Sequence, residues 1–127
     1  MTRTIIKTDQ APEPVGPYSQ AIKANGWLYV SGQIPLDPST GLLMEASFED
    51  QVRKVLDTIK AILETGGSGL DRVVKATIFL TDMDRFAELN AIYAEYFGES
   101  CPARACVEVS RLPRDAQVEI EAIALCE

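Results

Sequence analysis

The 127-residue sequence contains no histidine. Histidine is the usual base that activates a serine or cysteine nucleophile, and it is the commonest protein ligand of catalytic metals. Its absence excludes Ser-His-Asp and Cys-His catalysis and nearly all catalytic zinc sites. Any chemistry must therefore come from arginine, glutamate, aspartate, tyrosine, serine, cysteine or the backbone.

Cysteine is scarce and occurs only at Cys101, Cys106 and Cys126. The number is odd, and the spacing matches neither a CxxC redox motif nor a zinc site. Reduced thiols are typical of cytosolic proteins, whereas small secreted domains are rich in disulfides. We therefore expect a cytoplasmic protein in which each cysteine is a small buried hydrophobic residue.

Positive charge is in deficit, because 12 Lys and Arg residues against 19 Asp and Glu residues give a net charge of −7. No cluster of basic residues offsets this charge. Binding to nucleic acid or to an anionic membrane surface is therefore disfavoured. Phosphate-binding glycine loops are also missing, since the glycines of ETGGSGLD follow a predicted helix rather than a strand.

Long apolar runs are absent: none approaches the roughly 20 residues that a membrane-spanning helix needs. The N-terminal stretch MTRTIIKTDQ lacks the apolar segment of a secretion signal. Hydrophobic residues make up 46% of the chain and charged residues 24%, as in ordinary globular proteins. We expect one domain that spans residues 1–127.

The apolar periodicity predicts the element order β-β-β-α-β-α-β-β. Asn25 and Gly26 are the residues that a type I′ hairpin turn favours, and Ser47 followed by Asp50 is typical of a helix start. The predicted segments are a strand in 2–7, a hairpin in 21–33, a helix from Ser47 to Gly66, a strand in 72–81, a helix in 82–98 and two strands within 102–124.

Two helices are too few to cover both faces of the predicted sheet. An α+β domain with both helices on one face is therefore the expected packing. A tight polar turn joins the last two strands, and in each strand successive side chains point to opposite faces of the sheet. Arg104 and Cys106 therefore point away from the face of their small apolar neighbours. In the same way, Glu119 and Glu121 point away from the face of Val118 and the apolar residues that alternate with it. These polar groups are expected on the helix-free face, where a mixture of charged and hydrophobic residues suggests contact with another subunit.

Three separate motifs carry a resemblance to a known family. They are GPYSQA at 16–21, YVSGQIPLDPSTG at 29–41 and PARACVEVSRLPRDAQVEIEAIA at 102–124. Together they resemble the Rid (YjgF) family, in particular its reactive-intermediate imine deaminase branch, and the similarity runs from about Ile5 to Leu125. The resemblance implies a chorismate-mutase-like fold with a mixed sheet, and a homotrimer with clefts between subunits. It also implies hydrolysis of 2-imino acids, such as 2-iminobutanoate and 2-iminopropanoate, to 2-oxo acids and ammonia without a cofactor or a metal.

The resemblance also implies roles for individual residues. Arg104 matches the arginine that binds the substrate carboxylate, a task suited to a planar guanidinium that donates two parallel hydrogen bonds. Glu119 matches the glutamate that positions and deprotonates water for attack on the C=N carbon. Five further positions match residues that border the cleft: Tyr18, Ser31, Gly32, Asn90 and Cys106.

Each role has a structural alternative. Arg104 could form an ordinary cross-strand pair with Glu119 or Glu121, as in many hairpins. Alternation places both glutamates on one face, so the pattern alone does not distinguish them, and only the resemblance selects Glu119. Cys106 is not expected to be a nucleophile, because no histidine is present to generate a thiolate.

Three hypotheses about function follow. The first is the imine deaminase, and the second is a non-catalytic sensor that binds 2-oxo acids in the same cleft. The third is an RNA-directed translation inhibitor, which the net charge of −7 and the missing histidine disfavour. A sensor needs the anion-binding arginine but not the base, so Glu119 distinguishes the first hypothesis from the second.

Overall fold

The computed structural model describes residues 2–126, and it has the predicted element order. The strands are β1 (Arg3–Ile6), β2 (Ala21–Ala24), β3 (Trp27–Gln33), β4 (Val73–Leu80), β5 (Ala103–Glu108) and β6 (Val118–Leu125). The helices are α1 (Phe48–Thr65), between β3 and β4, and α2 (Phe86–Phe97), between β4 and β5. Predicted and observed boundaries differ by only a few residues at the ends of elements.

The local start and stop signals act as predicted. Asn25 and Gly26 have φ angles of 58° and 83°, as a type I′ turn requires. The Ser47 side chain accepts a hydrogen bond from the Asp50 N–H at 3.1 Å and so caps α1. At the other end, the Gly66 N–H donates to the Ile62 carbonyl at 3.0 Å, and the helix ends there.

The six strands form one mixed sheet in the order β1-β2-β3-β6-β4-β5. Neighbouring strands are antiparallel except β4 and β5, which are parallel and connected through α2. A parallel pair needs such a crossover, because the chain must return to the edge of the sheet where the first strand began before it can start the second. The predicted hairpin of the last two strands is therefore wrong: β4 lies between β5 and β6.

Both helices pack on the same face of the sheet, as predicted, and the main hydrophobic core lies between them and the strands. The apolar stripe of α1 is fully buried, and it faces alternate residues of the central strand β6. The buried residues of β6 are Val118, Ile120, Ala122 and Ala124. Because side chains alternate along a strand, Glu119 and Glu121 lie on the helix-free face.

The helix-free face exposes several large apolar side chains. Tyr29 is 47% exposed, Val107 41%, Leu125 40% and Trp27 36%. Tyr29 pairs in register with Ile123, and Trp27 pairs with Leu125, so these residues are neighbours across β3 and β6. Exposed apolar groups that lie together in this way are typical of surfaces that bind another protein.

The cysteines differ from one another in exposure. Cys126 is buried, Cys106 is half-buried and Cys101 is exposed. The prediction of a buried small residue is therefore wrong for Cys101, because this residue lies in the connection between α2 and β5 and not in a strand. None of the helices within residues 2–126 is long and apolar enough to cross a membrane.

Gln20 anchors the proline-rich loop that precedes β2. Its side chain is 2% exposed; the amide oxygen accepts from the Thr8 N–H at 2.8 Å, and the amide nitrogen donates to the Thr8 and Pro12 carbonyls at 3.0 Å each. A loop without secondary structure can be fixed only if its buried backbone groups find partners. Together with a longer bond to the Ala11 carbonyl at 3.4 Å, Gln20 supplies partners for four backbone groups of the loop.

Replacing Gln20 with leucine should destabilise the protein by roughly 1–3 kcal/mol, because buried backbone groups would lose their partners. Urea unfolding measures the change. Gln10→Leu, in an exposed position of the same loop, is the matched control and should be close to wild type. Equal stability of the two variants would contradict the anchoring role.

Candidate active site

Four of the predicted site residues lie around one pocket of about 280 Å³. We call it the Glu119 pocket, and it opens beside the loop that Gln20 anchors. Its lining residues are Val15, Tyr18, Ser31, Gly32, Pro113 and Glu119. The loop before β2, the end of β3, the connection between β5 and β6, and β6 itself all contribute to it.

A bulge at the end of β3 shapes the pocket floor. The register between β3 and β6 shifts between Val30 and Gln33, so Ser31 and Gly32 leave the regular ladder. Ser31 then bonds to the neighbouring loop: its N–H donates to the Gln20 carbonyl at 3.0 Å and its hydroxyl donates to the Ser19 carbonyl at 2.6 Å. The bulge is therefore fixed to the segment that carries Tyr18.

Gly32 lies directly against the Glu119 carboxylate. A Cβ atom at this position would come within 2.9 Å of the Glu119 carboxyl carbon and closer still to one of its oxygens. Only glycine lets a backbone approach so near to another group. The missing side chain at residue 32 therefore decides where the carboxylate can lie.

Tyr18 forms the outer wall of the pocket and is 45% exposed. Its hydroxyl accepts a hydrogen bond from the Val15 N–H at 3.1 Å, and its own N–H donates to the Gly16 carbonyl at 2.9 Å. These bonds fold the loop over its own aromatic ring. The ring is thus held in place while one side stays accessible.

The environment of Glu119 favours its protonated form. Burial raises the pKa of the Glu119 carboxyl above its ordinary value, and the negative charge of Glu121 on the same face raises this pKa further. No cation of the described chain lowers it. A carboxylate with a raised pKa is a better proton acceptor than an ordinary glutamate, as a general base requires.

Arg104 lies elsewhere, on the helix side of β5. It pairs in register with Ala76 of β4, which is buried in the core, and its guanidinium faces α2. Its Cζ atom is 5.5 Å from the ring centroid of Phe86 and 4.8 Å from that of Tyr93. Within residues 2–126 the guanidinium makes no hydrogen bond or ion pair, so its N–H groups are available to a ligand.

Arg104 and Glu119 are therefore on opposite faces of the sheet, and the expectation that they share the helix-free face is wrong. Glu119 pairs with Phe79 of β4, whereas Arg104 pairs with Ala76, and residues of different parity along one strand point to different faces. The cross-strand pair with Glu119 or Glu121 does not form within one chain.

Cys106 and Asn90 accompany Arg104 and do not line the Glu119 pocket. Cys106 is two residues further along β5 and packs against the main core. Burial raises the pKa of its thiol, while the charge of Arg104 acts in the opposite direction. The neutral thiol is thus favoured, which agrees with the prediction that Cys106 is not a nucleophile.

Asn90 is half-buried on α2, four residues after Phe86 and three before Tyr93. This spacing places the three side chains on one stripe of the helix. The predicted site is thus divided into the Glu119 pocket and a second group, the Arg104 cluster. The Arg104 cluster consists of Arg104, Cys106, Phe86, Asn90 and Tyr93.

The sequence did not assign Phe86 and Tyr93 to the site, because apolar residues at helical spacing are typical of a stripe that faces the core. The usable signal was their separation of seven residues, which places both rings on one side of α2. Pro113 was missed because it lies in an irregular connection.

For metal binding, no group of three or more Asp, Glu or Cys residues in the described range could hold an ion.

Comparison with known proteins identifies the family. Residues 8–126 match the family model described as endoribonuclease L-PSP. A RutC family protein of Pyrococcus horikoshii is 57% identical over 125 residues, which cover 98% of this chain and 99% of the relative. The chain therefore belongs to the Rid (YjgF) family, and its resemblance to that family is confirmed.

Solved structures support the same assignment. The crystal structure of YyfA, a conserved Rid family protein of Yersinia pestis, is 50% identical with a TM-score of 0.94, and the match covers 98% of this chain and 99% of that one. E. coli TdcF, whose crystal structure contains bound serine, is 41% identical with a TM-score of 0.92 and the same coverage. Membership of this family supports a role in the processing of small molecules.

The raised pKa of Glu119 predicts how stability depends on pH. In the folded state the carboxyl binds its proton more tightly than in the unfolded state, so unfolding becomes easier as the pH rises from the unfolded pKa through the folded pKa. Glu119→Gln cannot ionise, so it removes the free-energy cost of holding a charged carboxylate at this position at high pH. The variant should therefore gain stability relative to wild type at pH 8 but not at pH 3.

Urea unfolding of both proteins at the two pH values measures the difference. Glu121→Gln is the comparison, because it removes the neighbouring charge and should give a smaller gain. A Glu119→Gln variant that is no more stable than wild type at pH 8 would show that the carboxylate is not held in an unfavourable environment.

Proposed function

We propose that the protein is a hydrolytic deaminase of reactive 2-imino acids, such as 2-iminobutanoate and 2-iminopropanoate, and that it needs no cofactor or metal. The observation that carries the proposal is the guanidinium of Arg104, which has no ion pair within residues 2–126 and lies on the opposite face from the Glu119 carboxylate. We propose that the two groups meet between subunits of a homotrimer, where the Arg104 cluster of one subunit faces the Glu119 pocket of the next.

Arg104 binds the substrate carboxylate in this proposal. A guanidinium presents parallel N–H donors that match the two oxygens of a carboxylate, and the resulting charged hydrogen bonds are about twice as strong as neutral ones. Lysine would supply a point charge without this orientation. The cleft environment strengthens the interaction further, because water is excluded when the subunits meet.

Glu119 acts as the general base. It takes a proton from a water molecule while the water oxygen attacks the imine carbon and the C=N electron pair moves to nitrogen. Glu119 delivers this proton to the nitrogen, which gives a carbinolamine with one hydroxyl and one amino group. It then moves the hydroxyl proton to the amino nitrogen while the C–N bond breaks, so that ammonia leaves and the C=O bond of a 2-oxo acid forms. The raised pKa of Glu119 suits both the acceptance and the return of a proton.

The remaining predicted residues border the substrate. Tyr18 and Ser31 form walls of the Glu119 pocket, and Gly32 leaves room for the carboxylate of Glu119. Asn90 and Cys106 contribute from the side of Arg104. Contributions from two chains are what a cleft between subunits requires.

The helix-free face supports association. Its exposed apolar residues, among them Tyr29 and Val107, lie on the same face as Glu119 and Glu121. Covering such residues with a second chain removes apolar surface from water and favours the assembly. We propose that the trimer acts in the cytoplasm, where the three unpaired cysteines would remain reduced.

The chemistry of a relative agrees with a carboxylate ligand, since E. coli TdcF contains serine in its crystal structure. Serine carries a carboxylate beside a nitrogen-bearing carbon, as a 2-imino acid does. A sensor of 2-oxo acids would use the same anion-binding group, so it stays the principal alternative. RNA binding is less favoured, because the net charge of −7 opposes phosphate binding.

The proposal is tested with a threonine dehydratase that generates 2-iminobutanoate while semicarbazide traps the surviving imine. Wild-type protein should reduce semicarbazone formation. Arg104→Ala should lower kcat/KM roughly 30-fold or more, as expected when a desolvated charge pair loses one partner. Glu119→Gln should lower kcat roughly 100-fold or more, as expected when a general base is lost.

Arg85→Ala is the matched control for the arginine variant, because Arg85 is already paired with Glu88 at 3.1 Å. A wild-type protein that binds 2-oxobutanoate without accelerating imine loss would favour the sensor. RNA degradation by purified protein that survives in both variants would favour an RNA-directed activity instead.

The position of the site between subunits is tested by mixing the two inactive variants. Each Arg104→Ala chain still supplies Glu119, and each Glu119→Gln chain still supplies Arg104. After joint refolding at equal amounts, about one interface in four should combine both native residues, so roughly a quarter of wild-type activity should return. A site formed within one chain would give no recovery, and light scattering would report the number of subunits directly.

A further inference from the structure

Arg104 lies between two aromatic side chains of one helix. Its Cζ atom is 4.8 Å from the centroid of Tyr93 and 5.5 Å from that of Phe86, and both distances are within the range of a cation–π interaction. In such an interaction the positive charge is attracted to the electron-rich face of a ring, and no hydrogen bond is used. None of the N–H donors of Arg104 is bonded to another group within residues 2–126.

The connection between β4 and β5 places these rings. Because α2 joins two parallel neighbours, it packs over the strands it connects, and the side chains of β5 that point to the helix side meet it. Phe86 and Tyr93 are two helical turns apart and therefore lie on the same side of α2. Arg104 enters from β5 opposite that side.

Tyr93 is fixed in position. It is 5% exposed, and its ring lies 4.4 Å from the ring of Phe97, tilted by 31°. Its hydroxyl is buried and has no hydrogen-bond partner in the described part of the chain. Burial raises the pKa of Tyr93 to about 12, so the phenol is neutral and does not form an ion pair with Arg104.

Two other arginines have carboxylate partners, which Arg104 does not have within residues 2–126. Arg53 is bonded to both Glu49 and Glu95, at 3.1 and 3.0 Å, so carboxylates of its own chain occupy its donors. Arg85 lies over the Phe48 ring at 5.4 Å, as Arg104 lies over its rings, but its donors are engaged by a glutamate. Arg104 combines contacts to two rings with N–H donors that no group within residues 2–126 occupies.

We propose that Phe86 and Tyr93 form an aromatic cradle that positions Arg104 for the substrate carboxylate. The two rings attract the cation through its charge, and they do so without consuming the hydrogen bonds that the ligand needs. Both are positioning residues, since they act through Arg104. The identity of the ligand rests on the proposed function, but the holding of the guanidinium by the rings does not.

The cradle is tested with Phe86→Leu and Tyr93→Leu, each of which removes one ring and keeps an apolar side chain. Binding of 2-oxobutanoate, a stable 2-oxo acid, should weaken roughly three- to tenfold in each variant. In the imine assay KM should rise by a similar factor while kcat changes less, because carboxylate binding is common to the ground state and the transition state.

Two further variants separate positioning from general stability. Tyr93→Phe keeps the ring and removes only an unpaired hydroxyl, so it should bind like wild type and restore what Tyr93→Leu loses. Tyr96→Leu removes a different ring of α2, whose hydroxyl donates to Asp57 at 2.8 Å, and serves as the matched control. It should leave the affinity for 2-oxobutanoate unchanged.

A spectroscopic measurement makes the test independent of activity. The rings should shift the Arg104 Nε–H proton resonance upfield, and that resonance is assigned by its absence in Arg104→Ala. Phe86→Leu and Tyr93→Leu should each move it downfield, whereas Tyr93→Phe and Tyr96→Leu should leave it in place. Phe86 is 38% exposed, so its replacement is expected to leave the fold intact.

An unshifted Arg104 resonance in both leucine variants would overturn the cradle, and so would wild-type affinity in both. Equal losses in Tyr93→Phe and Tyr93→Leu would also overturn it, because the ring would then not be the group that matters. If the wild-type protein neither binds 2-oxobutanoate nor hydrolyses the imine, the proposed function fails, and the resonance comparison alone decides whether the rings hold the guanidinium.

Discussion

The packing of α1 and α2 against a single face of the sheet controls the direction of every candidate site residue. Burial of the helix-side residues of β4 and β6 fixes which residues of each strand point to the helices, because a shift of one residue would expose the core. Glu119 is therefore directed to the open face. Arg104 pairs in register with Ala76, whose side chain faces the helices, and it therefore points to the helices as well.

The sequence was informative wherever local chemistry decides the structure. The turn at Asn25-Gly26 and the cap at Ser47 depend on residues next to each other in the chain, and both were predicted correctly. The position of β5 depends instead on long-range pairing with β4. Nothing in a hairpin-like pattern of two successive strands reveals that a third strand lies between them.

The face of Arg104 was mispredicted for a related reason. β5 is an edge strand in which neither alternating set is fully buried, so small apolar residues such as Ala103 and Ala105 are exposed while Arg104 and Cys106 are half-buried. In the central strand β6, where the apolar set is buried, the same alternation correctly placed Glu119. Polarity indicates direction only when one face of a strand is excluded from water.

The arrangement of Arg104 and Glu119 on opposite faces has a geometric consequence for any assembly that unites them. A contact that joins one surface of a chain to a different surface of an identical chain is head-to-tail. Because each added chain brings its own copy of the first surface, one copy is always left without a partner. Such a series ends only when rotation brings the last member back to the first. The angle between the two surfaces would then determine whether the chains form a closed ring or an open fibre.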